Sequence, residues 1–176
     1  GIASIDPVTG VATGIVIGTT LVTYTAGCGT ATATLTVNDV PATISGTGTI
    51  CAGAIITLTD AISGGTWSSL SSGIATVNPT GVVTGITAGV ATIYYTTGGC
   101  SASKTVTVTP GATISGGSAV CVGSTITLTG GPTGGTWSSS NTSLATVSSA
   151  GVVTGVAVGT VTISYTSGGC TATLTI

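Results

Sequence analysis

GGTWSSSNTSLATV, residues 134–147, restates GGTWSSLSSGIATV, residues 64–77, with nine of the fourteen positions identical. The only two tryptophans, Trp67 and Trp137, stand in these stretches, 70 residues apart. The duplication continues outward. Cys51 and Cys121 keep the same spacing of 70, as do Cys100 and Cys170. TICAGAIITLTD answers AVCVGSTITLTG, and ATIYYTTGGC answers VTISYTSGGC. Similarity at a fixed period marks a chain built from repeated supersecondary units. Two full copies follow, residues 40–109 and 110–176. Residues 1–39 read as the C-terminal half of a third copy. GIASIDPVTGVATGIVIG aligns with GIATVNPTGVVTGITAG, with one extra residue near Val8, and Tyr24 falls on Tyr95 and Tyr165. Cys28 falls on Cys100 and Cys170. The chain therefore opens inside a copy and reads as an excerpt of a longer tandem array.

Composition narrows the class. Charged residues make up 2% of the chain, three acids and one base, where a soluble domain carries about 25%. Hydrophobic residues reach 41%, too many for disorder by lack of apolar content. They are mostly Val, Ile, Ala and Leu, set among Thr, Ser and Gly, which favours strands and turns. Thr and Gly interrupt every apolar run before it reaches the roughly 18 residues of a membrane helix. A net charge of −2 is too small to steer nucleic acid or an anionic membrane.

Within a copy, short alternating runs are separated by Gly, Asn and Pro signals. In residues 160–166, Val161, Ile163 and Tyr165 would face inward, with Thr and Ser outward. Seven strands are expected per copy, in the second copy near 42–51, 55–60, 66–70, 74–77, 82–85, 90–96 and 102–108. Seven short strands in 70 residues describe an immunoglobulin-like sandwich. The fold class expected is all-β, with tandem immunoglobulin-like β-sandwich domains arranged end to end. Trp67 and Trp137 are expected as nearly fully buried core plugs, each packed by inward Val, Ile and Tyr of its own copy, and Tyr24, Tyr95 and Tyr165 are expected to face the core from the sixth strands.

The combined motifs W-S-S-x-N, A-T-V, G-V-V-T-G and G-T-x-x-I, read across GGTWSSSNTSLATV and AGVVTGVAVGTVTISY, resemble the bacterial Ig-like domain of group 2. The cysteine-bearing form, with VCVGS and GGC, is similar to repeats in very long surface proteins of Gram-negative bacteria. The resemblance implies an extracellular, stalk-forming or adhesive role without catalysis.

The residues themselves leave little chemistry. There is no His, and the acids are Asp6, Asp39 and Asp60. General acid–base catalysis needs paired titratable groups within reach, and these acids read as turn and linker residues. Calcium sites need clustered carboxylates, and zinc is disfavoured without His or a C-x-x-C pair. No catalytic, cofactor or metal residue is assigned. GGPTGG lacks the lysine of a phosphate loop. Asn141-Thr142-Ser143 is a formal glycosylation sequon, with chance occurrence in a Ser/Thr-rich chain the better reading. The threonine rows of TATATLTV, TVTVT and TATLTI also suit an ice-binding face, although outward Thr is the ordinary solvent face of such a sheet.

Five cysteines remain, and a repetitive secreted β protein uses cysteine for disulfides. Cys51 precedes the turn between the first two strands of its copy, and Cys100 follows the turn between the last two. In a sandwich whose strands reverse at each step, those turns lie at opposite poles, roughly 20 Å apart. A disulfide needs Cα atoms within about 7 Å. An end-to-end array brings Cys51 toward Cys170 instead, and leaves Cys28, Cys100 and Cys121 to partners outside this stretch. The alternative, Cys51–Cys100 with Cys121–Cys170 inside the copies, stays open.

Three readings follow. The first is a structural component of a bacterial extracellular filament, sheath or adhesin stalk, secreted or held at the cell surface and self-associating with identical chains. The second is a surface carbohydrate-binding or adhesive module with a glycan as partner. The third and most remote is the ice-binding surface.

Overall fold

The computed structural model describes residues 1–176, and they form strands without a helix. Residues 1–39 hold β1 (Ala3–Ile5), β2 (Ala12–Gly14), β3 (Gly18–Ala26) and β4 (Gly29–Val37). Residues 40–109 hold β5 (Thr49–Cys51), β6 (Ile55–Thr57), β7 (Thr66–Ser69), β8 (Ala75–Val77), β9 (Val82–Gly85), β10 (Gly89–Thr97) and β11 (Cys100–Thr109). Residues 110–176 hold β12 (Thr113–Ser115), β13 (Thr125–Thr127), β14 (Thr129–Gly131), β15 (Thr136–Ser139), β16 (Ala145–Val147), β17 (Val152–Gly155), β18 (Thr162–Ser167) and β19 (Cys170–Thr175).

The period-2 alternation decides what each strand buries. On β10, Ala91, Ile93 and Tyr95 point inward, and on β11 Val106 and Val108 do the same. They meet Leu58, Ala75 and Val83 from the opposite layer. One sheet runs β5-β11-β10-β7 and the other β6-β9-β8, so residues 40–109 form a two-layer sandwich. Each buried Val, Leu or Ile contributes about 1.5–3 kcal/mol, and the threonines between them stay on the outer faces. A second cluster, built on Leu128, Ala145, Val153, Val161 and Ile163, lies between sheets β15-β18-β19 and β13-β17-β16. An additional pair, β12-β14, completes residues 110–176.

The expected first strand, 42–51, is broken. Ser45 bridges to Thr59 of one layer, and beyond Gly46–Gly48 the chain joins the other layer, where β5 lies parallel to β11. A continuous strand cannot serve both layers, so the switch follows from closing the sandwich at its edge.

The two tryptophans depart from expectation. Trp67 and Trp137 are half-buried rather than enclosed. Both lie on edge strands, β7 and β15, and pack against the cores while staying partly open to solvent. Tyr95 and Tyr165 pack there with ring centroids at 4.7 and 4.6 Å. The backbone at Gly81 closes over the Trp67 ring. A methyl group at that position would sit 3.1 Å from the indole, and its φ of +81° suits glycine alone.

Tyr24, expected in a core, is 70% exposed, against 5% for Tyr95 and 3% for Tyr165. In residues 1–39, β3 and β4 pair only with each other, and β1 only with β2. No strand equivalent to β6 lies in the facing layer and none equivalent to β7 pairs with β3, so the side of Tyr24 that would be core faces an open cleft. Nearby, Asp6 accepts hydrogen bonds from the amides of Thr9 and Val8 at 2.9 and 2.8 Å. These bonds hold its carboxyl below the usual carboxylate range, as expected for an acid that organises a turn.

Candidate functional site

The chemistry-bearing residues converge where residues 40–109 meet residues 110–176. β5 ends at Cys51, whose position in the parallel ladder is opposite Thr109, the last residue of β11. The amide of Ala52 donates to the Thr109 carbonyl at 2.9 Å and turns the chain back toward β6. On the other side, β18 and β19 are joined by Gly168–Gly169, and Cys170 opens β19 opposite Ser167. Cys51 and Cys170 are joined by a disulfide with Cα atoms 5.8 Å apart and a sequence separation of 119. Cys170 is 3% exposed. The Thr109 hydroxyl lies 3.1 Å from its sulfur and donates to the Ile50 carbonyl at 3.3 Å. The structure therefore lacks both Cys51–Cys100 and Cys121–Cys170. Within one copy the two turns sit at opposite poles, so those pairs do not meet.

The junction between residues 1–39 and 40–109 repeats this geometry without the bond. Gly98–Gly99 joins β10 to β11 as Gly168–Gly169 joins β18 to β19. Asn38, which follows β4 as Thr109 ends β11, donates from Nδ2 to the Gly98 carbonyl at 2.6 Å. Cys100 sits beside this contact as a half-buried free thiol. Cys28 and Cys121 are free and exposed. Cys28 also departs from the alignment with Cys100 and Cys170. The ladder sets Tyr24 opposite Ala31 and Tyr95 opposite Ala102, which places Gly29 at the position of Cys100. Cys28 lies one residue earlier, inside the two-residue turn Gly27–Cys28, where the other copies have Gly98–Gly99 and Gly168–Gly169.

The remaining singled-out residues act locally. Asp60 accepts from the amides of Ile62 and Ala42 at 2.9 and 3.3 Å and so ties its turn to the incoming linker. Asn141 accepts from the Ser143 amide at 3.0 Å on an exposed turn. The tyrosine hydroxyls were not legible as ligands of the backbone. Tyr95 Oη accepts from the Gly65 amide at 2.8 Å and donates to the Ile62 carbonyl at 2.6 Å. Tyr165 does the same with Gly135 and Pro132. No group of three or more His, Cys, Asp or Glu side chains is placed to hold a metal ion, and no helix is long and apolar enough to cross a membrane.

Comparison with known proteins agrees with this architecture. The model of the bacterial Ig-like domain (group 2) matches residues 102–176. A C-terminal 282-residue fragment of intimin, solved with the intimin-binding domain of the translocated intimin receptor, aligns with a TM-score of 0.55 at 22% identity. The alignment covers 78% of this chain and 64% of that fragment. Domains 4 and 5 of the S-layer protein SbsC align with a TM-score of 0.38 at 22% identity, over 78% of this chain and 98% of theirs. A SusE-like surface located polysaccharide binding protein from Bacteroides thetaiotaomicron aligns with a TM-score of 0.38 at 14% identity, over 99% of this chain and 40% of its own. At 22% identity the likeness to the intimin fragment is one of fold alone, all-β and Ig-like. Among curated proteins, none matches the chain.

Proposed function

We propose that this chain, whose residues 102–176 match the model of the bacterial Ig-like domain (group 2), is a structural spacer at the bacterial surface, built for reach rather than catalysis. Residues 40–109 and 110–176 act as consecutive sandwich domains placed end to end, with 1–39 as the back half of a preceding one. The observation that carries this reading is the bond between Cys51 and Cys170. It lies between the pole of one sandwich and the facing pole of the next, so it restrains the angle between copies without entering either core. A disulfide at that place also suits an oxidising compartment outside the cytoplasm. Stapled at successive junctions, copies of near-constant length would extend as a stiff rod, as a filament, sheath or adhesin stalk requires.

Side-by-side contact between identical chains completes the assembly. The outer faces carry Thr, Val and Ala with almost no charge, and little electrostatic repulsion separates neighbours. Negative-stain images of native material test the reading. Uniform rods or filaments are the expected result, and a field of separate compact particles would overturn it.

A further inference from the structure

A groove of about 350 Å³ opens on the surface of residues 110–176, and its floor is aromatic. The half-buried Trp137 lines it beside Tyr165, with ring centroids 4.6 Å apart. Its rim carries the exposed side chains of Thr127, Thr129, Thr133 and Ser149. None of these four hydroxyls bonds within the chain, whereas those of Thr113, Ser139 and Ser148 nearby are taken up by backbone.

The groove is held in shape by the chain itself. Tyr165 Oη accepts from the Gly135 amide at 2.8 Å and donates to the Pro132 carbonyl, which fixes the loop ahead of β15. β14 is paired with β12. The backbone approaches so closely that a methyl group at Gly130 or Gly135 would lie 2.6 or 2.4 Å from the Tyr165 ring. A site that is already formed avoids much of the ordering cost of binding.

The lining selects the ligand. It holds no acid, lysine or arginine, so a charged ligand would lose water without gaining a partner. The aromatic floor suits an apolar surface, and the four uncommitted hydroxyls can both donate and accept. A pyranose ring combines these features, with an apolar C–H face and hydroxyls around its edge. We propose that the groove binds a neutral oligosaccharide, with one sugar ring against Trp137 and its hydroxyls on Thr129, Thr133 and Ser149. This adds a ligand to the spacer and does not depend on rods forming. Residues 40–109 keep the Trp and the Tyr but alter the rim. Asp60 stands in place of Gly130 and Pro79 in place of Ser149, and the Thr80 hydroxyl is engaged by Asn78 Oδ1 at 2.8 Å. Trp67 is therefore an internal reference.

The test titrates the full isotope-labelled chain with cellotetraose, maltotetraose and chitotetraose and follows the two indole N–H signals by nuclear magnetic resonance. The first two sugars stand for glucan polysaccharides and the third for N-acetylhexosamine glycans, so the arms separate these sources. At least one should shift the Trp137 signal saturably below about 10 mM and leave Trp67 in place. Thr129→Val keeps the side-chain shape and removes one hydroxyl, and should weaken binding about three- to tenfold. Ser149→Pro copies the residue found at position 79 and should weaken it similarly. Both variants should keep the urea midpoint of the parent chain. The absence of a saturable shift with all three sugars would overturn the proposal, as would equal shifts at both indoles or unchanged affinity in both variants. A decaproline peptide that shifts Trp137 where the sugars do not would assign the groove to a proline-rich segment and would also overturn it.

Discussion

The buried tyrosines show how one residue holds two elements. The alternation on β10 turns Tyr95 inward, where its ring meets Trp67. Burial then obliges the hydroxyl to find partners. It finds them in the loop ahead of β7, accepting from Gly65 and donating to Ile62. Tyr95→Phe keeps the packing and leaves a backbone amide and a carbonyl unpaired. The expected cost is about 1–3 kcal/mol, read as a lower urea midpoint with an unchanged slope. Tyr24→Phe makes the contrast, because an exposed hydroxyl loses only a bond to water. Its effect should stay within about 0.5 kcal/mol. Equal losses at the two positions would contradict the assignment. The inward direction of Tyr95 was legible from the apolar period. Its hydrogen-bond partners lie 30 and 33 residues away in sequence, and no local pattern announces them.

At the scale of the element, the hairpin turns decide how copies meet. Gly98 has φ +56°, and a Cβ there would lie 2.6 Å from the Asn38 side chain. Gly168 has φ +59°, but its nearest neighbour, Thr109, is 3.8 Å away. Alanine at either position meets the left-handed penalty of roughly 1–2 kcal/mol. Only Gly98→Ala must also displace Asn38 and its bond to the Gly98 carbonyl. Gly98→Ala should therefore lower stability more than Gly168→Ala, and hydrogen exchange should quicken at Asn38 as well as along β10 and β11. Equal losses would mean that the Asn38 contact contributes nothing. Long strands such as β10 and β11 were legible because inward residues recur at every second position, Ala91, Ile93 and Tyr95 on one and Val106 and Val108 on the other. The broken first strand was not, since the switch between layers depends on closure of the sandwich. The half-burial of Trp67 escaped for a related reason. Sequence identifies a large apolar residue, but only sheet order shows that its strand is an edge. The displacement of Cys28 places the cysteine inside a two-residue turn of unchanged length, Gly27–Cys28 in place of Gly98–Gly99, which matching on cysteines alone conceals.

At the scale of the whole molecule, the scarcity of charge governs how chains would associate. The single lysine, Lys104, already donates to the Ile44 carbonyl at 3.2 Å, so it is not free to guard a strand edge. Large apolar side chains such as Val8, Val40, Ile55 and Leu70 stand exposed along the chain, beside rows of threonine hydroxyls. In the proposed assembly, contacts between chains are therefore apolar and hydrogen-bonded. Salt screens charge–charge attraction, with a Debye length of roughly 3 Å at 1 M. It does not weaken apolar burial, and sulfate or phosphate strengthens it. Light scattering of the native assembly should then be unchanged between about 0.1 M and 1 M sodium chloride, and should rise in sulfate. Moderate urea, which solvates both apolar and peptide groups, should release chains that still carry the Cys51–Cys170 bond, since urea leaves disulfides intact. If the assembly instead dissolves into single chains in 1 M sodium chloride, its cohesion is ionic, and the uncharged faces are not what holds it together.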